Sequence, residues 1–341
     1  MLLGTIQYKT RAVLDGGCTV DPMRSFILLF ASMAAAQNPS LYDYYISGSQ
    51  LDSKPPTQAG LLLSGGGGDV DEAFEWFLRK AGGGDIVVLR ASGADGYHRY
   101  LSGIAAVDSV ESFVIKSREA SYDEFLLTRV KQAEGIFLSG GDQWNYIRMW
   151  KGTPLEAALH RHYRSGRPIG GTSAGLAVLG EFSFSAEHDT VTSEEALRNP
   201  FNRKVTIEKD FLHFPLLKST IADSHFSARN RMGRLLVFLA RIRQSGRAEA
   251  RGIGVDEATA ILVEARGAGT VVGKASAYFL NVRGISETCT PDTPLSLANI
   301  RVQKVKSGER FDFSNEKGGE SYVLSVNHGI IQSGRQDDLV Y

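Results

Sequence analysis

Cysteine is nearly absent from this chain: 341 residues hold two, Cys18 and Cys289. Neither C-x-x-C nor H-E-x-x-H occurs, which removes the common zinc frameworks. The histidines stand at 98, 160, 162, 188, 213, 225 and 328. His160 and His162 are two apart on an expected helix and so face different ways, a poor metal pair. An excess of charge of one sign is also lacking. The balance of 38 basic and 38 acidic residues gives formal charge +0, so nothing points to nucleic acid or an anionic membrane as partner. The apolar runs are too short for a membrane span. Gly65–Gly68 lacks the further glycine, at Val70 or Asp71, that a dinucleotide fingerprint needs. There are no repeats and no long flexible linker.

What is present suits a globular α/β chain. Hydrophobic residues make up 43% and glycines number 37, enough for a substantial core with many tight turns. Residues 1–36 stand apart. Met23-Arg24-Ser25, the apolar Phe26–Phe30 and the small residues Ala34–Ala36 read as a signal peptide cut after Ala36. Met23 is then a candidate true start, and the chain is expected outside the cytoplasm, periplasmic or extracellular. If the segment is instead a buried helix, the location is cytoplasmic. Cleavage would leave Cys289 alone, without an intramolecular disulfide, so bridges say nothing about compartment. Residues 37–58, with Asn38-Pro39 and Lys54-Pro55-Pro56, read as irregular, and 59–341 as one domain.

Within that domain strand and helix alternate. Strands are expected at Gly60–Ser64, Asp85–Leu89, Val110–Ile115, Gly135–Leu138 and around Ile169–Gly171. Helices are expected after Asp69 as cap, over Asp123–Ala133, Gln143–Trp150, Pro154–Arg164 and Ala228–Arg243. The pattern implies a mostly parallel sheet covered on both faces, with a β-rich portion from about Gly269. In such sheets sites gather at the carboxyl ends of strands, so the loops Gly65–Gly68, Gly140–Gln143 and Thr172–Ala174 should share one rim. Ser183–Phe201 is polar and reads as a loop or flap.

Gly171-Thr172-Ser173-Ala174-Gly175 fits G-x-S-x-G, a serine on a tight strand-to-helix turn. The Ala174 amide, at a helix N-terminus, is placed to donate to an oxyanion. A serine nucleophile needs a base and an acid to orient it. His225 follows an expected strand ending at Asp223 and is the histidine on the rim of Ser173. Asp223, Asp256 and Glu257 all lie at strand ends, and spacing does not choose among them.

Four blocks then resemble the signature of cyanophycinases, serine peptidases related to dipeptidase E on a class I glutamine-amidotransferase-like, flavodoxin-like three-layer fold. They are Gly140–Gln143, Gly171–Gly175, Asp223–Arg234 and Gly252–Ala260, in the family's order. The resemblance implies a triad of Ser173 as nucleophile, His225 as base and Glu257 as orienting acid. It implies an oxyanion hole from Ala174 and the Gly140-Gly141 turn, and substrate binding by Gln143, Asp223, Arg229 and Arg234. Arg231 is read as a solvated helix charge. Ser224 stands where cyanophycinases tend to carry Gln. Amidotransferases of this fold use Cys at the turn, so Ser173 argues against glutaminase chemistry.

The implied activity is exopeptidase cleavage of cyanophycin-like poly-aspartate-arginine, releasing β-Asp-Arg dipeptides without metal or organic cofactor. A homodimer is a family expectation. The alternatives are a serine peptidase for other aspartyl or isoaspartyl peptides and an inactive binding homologue.

Overall fold

In Gly60–Ser64 the side chains alternate: Leu61 and Leu63 enter one apolar cluster and Leu62 another. Asp85–Arg90 repeats the pattern, with Val87 and Leu89 on one side and Ile86 and Val88 on the other. A strand apolar on both faces must be covered on both, which is how period two combined with continuous hydrophobicity yields a buried sheet.

The computed structural model describes residues 41–284 and 287–341. The leader expected over 1–36, with Met23 and Cys18, lies outside the described residues. The first half runs β1 (Tyr42–Gly48), β2 (Gly60–Ser64), α1 (Asp71–Lys80), β3 (Asp85–Arg90), α2 (Tyr97–Ile104), β4 (Ser109–Ile115), α3 (Glu124–Gln132), β5 (Gly135–Leu138), α4 (Gln143–Trp150), α5 (Pro154–Arg164) and β6 (Ile169–Thr172). Then come α6 (Ala174–Ala177), β7 (Phe182–Phe184), α7 (Ser193–Arg198), β8 (Ile207–Lys209), β9 (Thr220–Asp223) and α8 (Met232–Gln244). The remainder is strand: β10 (Ala250–Val255), β11 (Thr259–Glu264), β12 (Ala268–Gly273), β13 (Ser276–Val282), β14 (Leu297–Lys306), β15 (Arg310–Asp312), β16 (Lys317–Gly318), β17 (Glu320–Asn327) and β18 (Ile330–Ser333).

The chain is α/β with a β-rich C-terminal portion. Its first sheet has ten strands in the order β1-β4-β3-β5-β6-β2-β11-β12-β15-β16. The five central strands from β4 to β2 are parallel, and the strands on either side add antiparallel. Because β2, β5 and β6 run the same way, the loops after Ser64, Leu138 and Thr172 do share one rim. One face of this sheet packs on α1 and α2 through Phe74, Phe77 and Leu101.

The other face holds a feature the alternation did not announce, a second, eight-stranded sheet in the order β18-β17-β14-β13-β10-β9-β7-β8. Ala222, Ile253, Val255 and Phe279 of this sheet share a core with Leu61, Leu63 and Ile136 of the first. Its far face is covered by α7 and α8. On the same face of the first sheet α3 and α5 pack through Leu126, Val130, Leu155 and Leu159, so the expected layering of helices on both sides of the first sheet is present, and the second sheet, to which β9 and β10 belong, adds to it.

Local boundaries differ for physical reasons. Residues 42–48, expected to be irregular, form an edge strand on β4. Its alternating tyrosines pack inward, and Tyr44 Oη donates to Glu111 at 2.8 Å. Asp69 does not cap α1; Val70 holds the cap position without a side-chain bond, and Asp69 accepts from Tyr97 Oη at 3.1 Å. The polar segment 183–201 contains most of β7 and a helix, α7, closed by a capping box between Thr192 and Glu195. The helix expected from Ala228 begins at Met232, because residues 226–230 form turns and Arg231 is the N-cap. Among the described residues no helix is long and apolar enough to cross a membrane.

Candidate active site

β6 ends at Thr172, and Ser173 follows at φ 54°, ψ −112°. That conformation costs a non-glycine residue about 1–3 kcal/mol and persists only where its surroundings enforce it. Here they do. Ser173 N donates to Ser64 O at 3.1 Å, tying the turn to the end of β2. Behind it, a Cβ on Gly175 would lie 2.1 Å from Leu138 O, so α6 can lie against β5 only with glycine there.

His225 arrives from the second sheet, two residues past the end of β9. Its backbone N donates to Gly65 O at 2.8 Å. Its Nε2 lies 2.8 Å from Ser173 Oγ, and its Nδ1 lies 2.6 Å from Glu257 Oε1. A carboxylate on Nδ1 places the ring proton there and leaves Nε2 as acceptor for the hydroxyl. Glu257 follows β10, and the next residue, Ala258, donates its N–H to Gly66 O at 2.8 Å. The consecutive carbonyls of Ser64, Gly65 and Gly66 thus hold the backbones at Ser173, at His225 and next to Glu257.

Of the three acids that spacing left open, Glu257 alone reaches the imidazole. Asp256 accepts from Ser227 N at 2.8 Å and Ser276 N at 3.3 Å, and Asp223 faces arginines. Burial is the largest influence on His225 and pulls its pKa below the ordinary 6.5. Arg229 and Arg231 act in the same direction and Glu257 opposes them. The arrangement can deprotonate a hydroxyl and hold the resulting imidazolium, and a Glu257 turned away, as in an inert homologue, is not what this chain has.

Beside Ser173 opens a cavity of ≈ 380 Å³ whose lining includes Gln143, Asp223, Ser224, Arg229, Arg231 and Arg234. The expected substrate residues are therefore together, but they are not equally free. Arg234 is 3% exposed. Its fork grips Asp223, Nε to Oδ2 at 2.7 Å and Nη2 to Oδ1 at 2.6 Å, and its Nη1 donates to Thr190 Oγ1 at 3.0 Å and Val191 O at 3.3 Å. It clamps residues 190–191, which wall the cavity, onto α8. Asp223, bound through both oxygens, accepts a further bond from Arg231 Nη1 at 3.2 Å. Gln143 uses its amide nitrogen on Phe184 O at 3.2 Å, which leaves its oxygen as acceptor. Arg229 is exposed at the mouth, its backbone N on His225 O at 3.0 Å.

Arg231, read as a solvated charge, is the main residue the sequence reading missed. Its side chain is 13% exposed, and its Nη1 also donates to Ser224 O at 2.8 Å. The misreading follows from its charge. A charged residue on an expected helix was taken as solvent-facing, whereas Arg231 stands at the N-cap of α8 and its side chain reaches back to Asp223 and Ser224. Its spacing of three before Arg234 was the available signal. Gly140 stands beside the serine, and a Cβ there would be 4.0 Å from Ser173 Oγ.

Residues 96–271 match Peptidase family S51, a span that holds Ser173, His225 and Glu257 but stops short of the last six strands. A cyanophycinase of Synechococcus elongatus is 30% identical over 282 residues, covering 78% of this chain and 83% of the relative. A cyanophycinase of Trichormus variabilis is 28% identical over 284 residues, covering 78% and 90%. The crystal structure of a peptidase from an acI-B1 Actinobacterium shares the fold, with a TM-score of 0.50 at 17% identity over 75% of this chain and 97% of that one. With a match over half its length and a relative aligned over most of both chains, the protein belongs to peptidase family S51 and is a serine-type peptidase.

Proposed function

We propose that this peptidase hydrolyses cyanophycin-like poly-aspartate-arginine and releases β-Asp-Arg dipeptides. The observation that carries the reading is the cavity beside Ser173, where three guanidiniums face one carboxylate, a balance suited to the free α-carboxylates of the arginine branches, since the side-chain carboxyls of the aspartyl backbone are taken up in amide bonds. Arg229 and the free edge of Arg231 are the groups available to a substrate carboxylate. Arg234 acts through Asp223 and the cavity wall instead.

Ser173 Oγ attacks the scissile carbonyl carbon while His225 Nε2 takes its proton. Glu257 keeps the ring in the useful tautomer and stabilises the imidazolium. The oxyanion is met by the Ala174 amide, whose first-turn position leaves it without an intrahelical partner, and by the Gly140-Gly141 turn. The C–N bond then breaks, His225 returns the proton to the leaving amine, and an acyl-enzyme remains on Ser173. Water, deprotonated by His225, releases the acid and restores the serine.

A second reading, cleavage of other aspartyl or isoaspartyl peptides, is favoured by the saturation of Asp223. With both oxygens on arginines, it is not open to a substrate guanidinium. Ser224, where cyanophycinases tend to carry Gln, points the same way. The two readings separate when the full chain is incubated with purified cyanophycin and with isoaspartyl dipeptides and the products are read by mass spectrometry. Soluble β-Asp-Arg supports the first. Intact polymer with cleaved dipeptides supports the second, and loss of neither sinks both. In either case Arg231→Met should raise KM roughly tenfold or more, as expected for removal of a charge-assisted contact, with a smaller effect on kcat.

The same geometry predicts the pH profile. The base works only when neutral, and burial holds His225 below 6.5, so kcat/KM should persist as pH falls through 6.5 and decline only below it. Because Arg229 helps to lower that value, Arg229→Gln should move the acid limb to higher pH. An acid limb above 6.5 in the wild type would contradict the assignment of His225 as base.

A further inference from the structure

The chain beyond the family match completes both sheets, and its last residues lie against the second. Tyr322 Oη donates to Val340 O at 2.8 Å and Ser333 Oγ to Leu339 O at 2.8 Å, which pins residues 334–341 along that sheet. Tyr341 then turns inward. Its ring sits edge-on to Phe226 and Tyr278, centroids 5.8 Å away in each case at 78° and 85°. Phe226 is the neighbour of His225. The Tyr341 hydroxyl accepts the N–H of Met232 at 2.9 Å and donates to Asn230 Oδ1 at 3.1 Å. Met232 opens α8, so that N–H has no partner within the helix. Asn230, at φ 47°, is the left-handed residue between Arg229 and Arg231. From the other side its carbonyl accepts the Ser193 hydroxyl of α7.

We propose that Tyr341 is a positioning residue for the substrate cavity: its hydroxyl fixes the Arg229–Met232 turn and thereby aims Arg229 and Arg231 at the space beside Ser173. The inference rests on the reading of those arginines as carboxylate binders. Three features support a role at the site and not merely in the sheet. Both bonds of the hydroxyl go to the turn that carries the arginines. The residue lies 109 positions from one partner and 111 from the other, so no local structure requires the contact. Burial raises the phenol to about 12, so it remains a donor through the working pH range.

Tyr341→Phe keeps the ring and removes the hydroxyl. In the full chain we expect amide exchange in the peptide covering 227–234 to accelerate about tenfold. KM for an isoaspartyl dipeptide should rise roughly five- to tenfold, with kcat within about twofold. Labelling of Ser173 by a fluorophosphonate should proceed at the wild-type rate, because the triad is held by Ser64–Gly66 and not by the tail. Unchanged exchange and unchanged KM overturn the proposal, whatever happens to the melting temperature. A fall in kcat and labelling that matches the rise in KM also overturns it, because the tail would then support the triad. If the wild type cleaves no aspartyl substrate, exchange alone decides the role of the hydroxyl, and the missing turnover counts against the substrate reading instead.

Discussion

Replacing Ser173 by Ala should lower turnover of any peptide substrate by about 10⁴-fold or more while the far-ultraviolet spectrum and melting behaviour stay near wild type. His225→Ala should lose nearly as much, and the double variant should lose no more than either single one, because the hydroxyl 2.8 Å from the imidazole is useful only with it. Steady-state assays on the four proteins give the cycle. Multiplying losses would mean that the two side chains act independently. A companion measurement reads the backbone. Ser173 is held at φ 54°, so Ser173→Gly, equally inactive, should melt above Ser173→Ala by the cost of that conformation, on the order of 1 kcal/mol. Equal melting of the two would remove strain from the account of this turn.

The second large effect is expected at a residue with no side chain. Gly66 lies at φ +80°, and a Cβ there would sit 2.7 Å from His225 Nε2 and 3.0 Å from Ser173 Cβ. Gly66→Ala must therefore push the imidazole away from the serine or distort the loop whose carbonyls hold both. A displacement of about 1 Å at reacting groups costs on the order of a hundredfold. We expect kcat to fall at least that far and fluorophosphonate labelling to fall with it, although every side chain of the triad is present. Gly68→Ala is the control: its Cβ would meet nothing closer than Ala258 Cβ at 3.4 Å, so it carries the strain of its own φ +153° without the collision. Similar activity in the two variants would show that loop strain, not approach to His225, is what matters.

Much of this was legible in the sequence because the relevant patterns are local. Leu61–Leu63 and Ile86–Leu89 announce buried strands by composition, and Gly171–Gly175 announces a turn by its glycines. The rim shared by three loops follows from parallel strands alone. The second sheet was not legible, because β7 and β8 have three residues each and β9 four, too short to show which sheet they join. Nor could spacing choose Glu257 over Asp223 and Asp256. All three end strands, and the choice depends on which carboxylate the fold turns toward His225 and which toward arginines or amides. Arg231 was lost because a charge at a helix start carries no sign of the buried acid it meets, Asp223 eight positions earlier. Tyr341 carries no local signal at all, since its meaning depends on partners more than a hundred positions away.

The division of the triad between two sheets has a consequence for the chain during its own synthesis. The base lies 52 residues after the serine, and the acid a further 32. A nascent chain that has just emerged past Ser173 has a nucleophile with nothing to deprotonate it, and an unassisted serine is a weak one. Only when the second sheet has formed and docked, with Gly65 and Gly66 accepting its amides, does the hydroxyl become reactive. On the proposed mechanism the chain therefore gains its hydrolytic power only once the second sheet is in place.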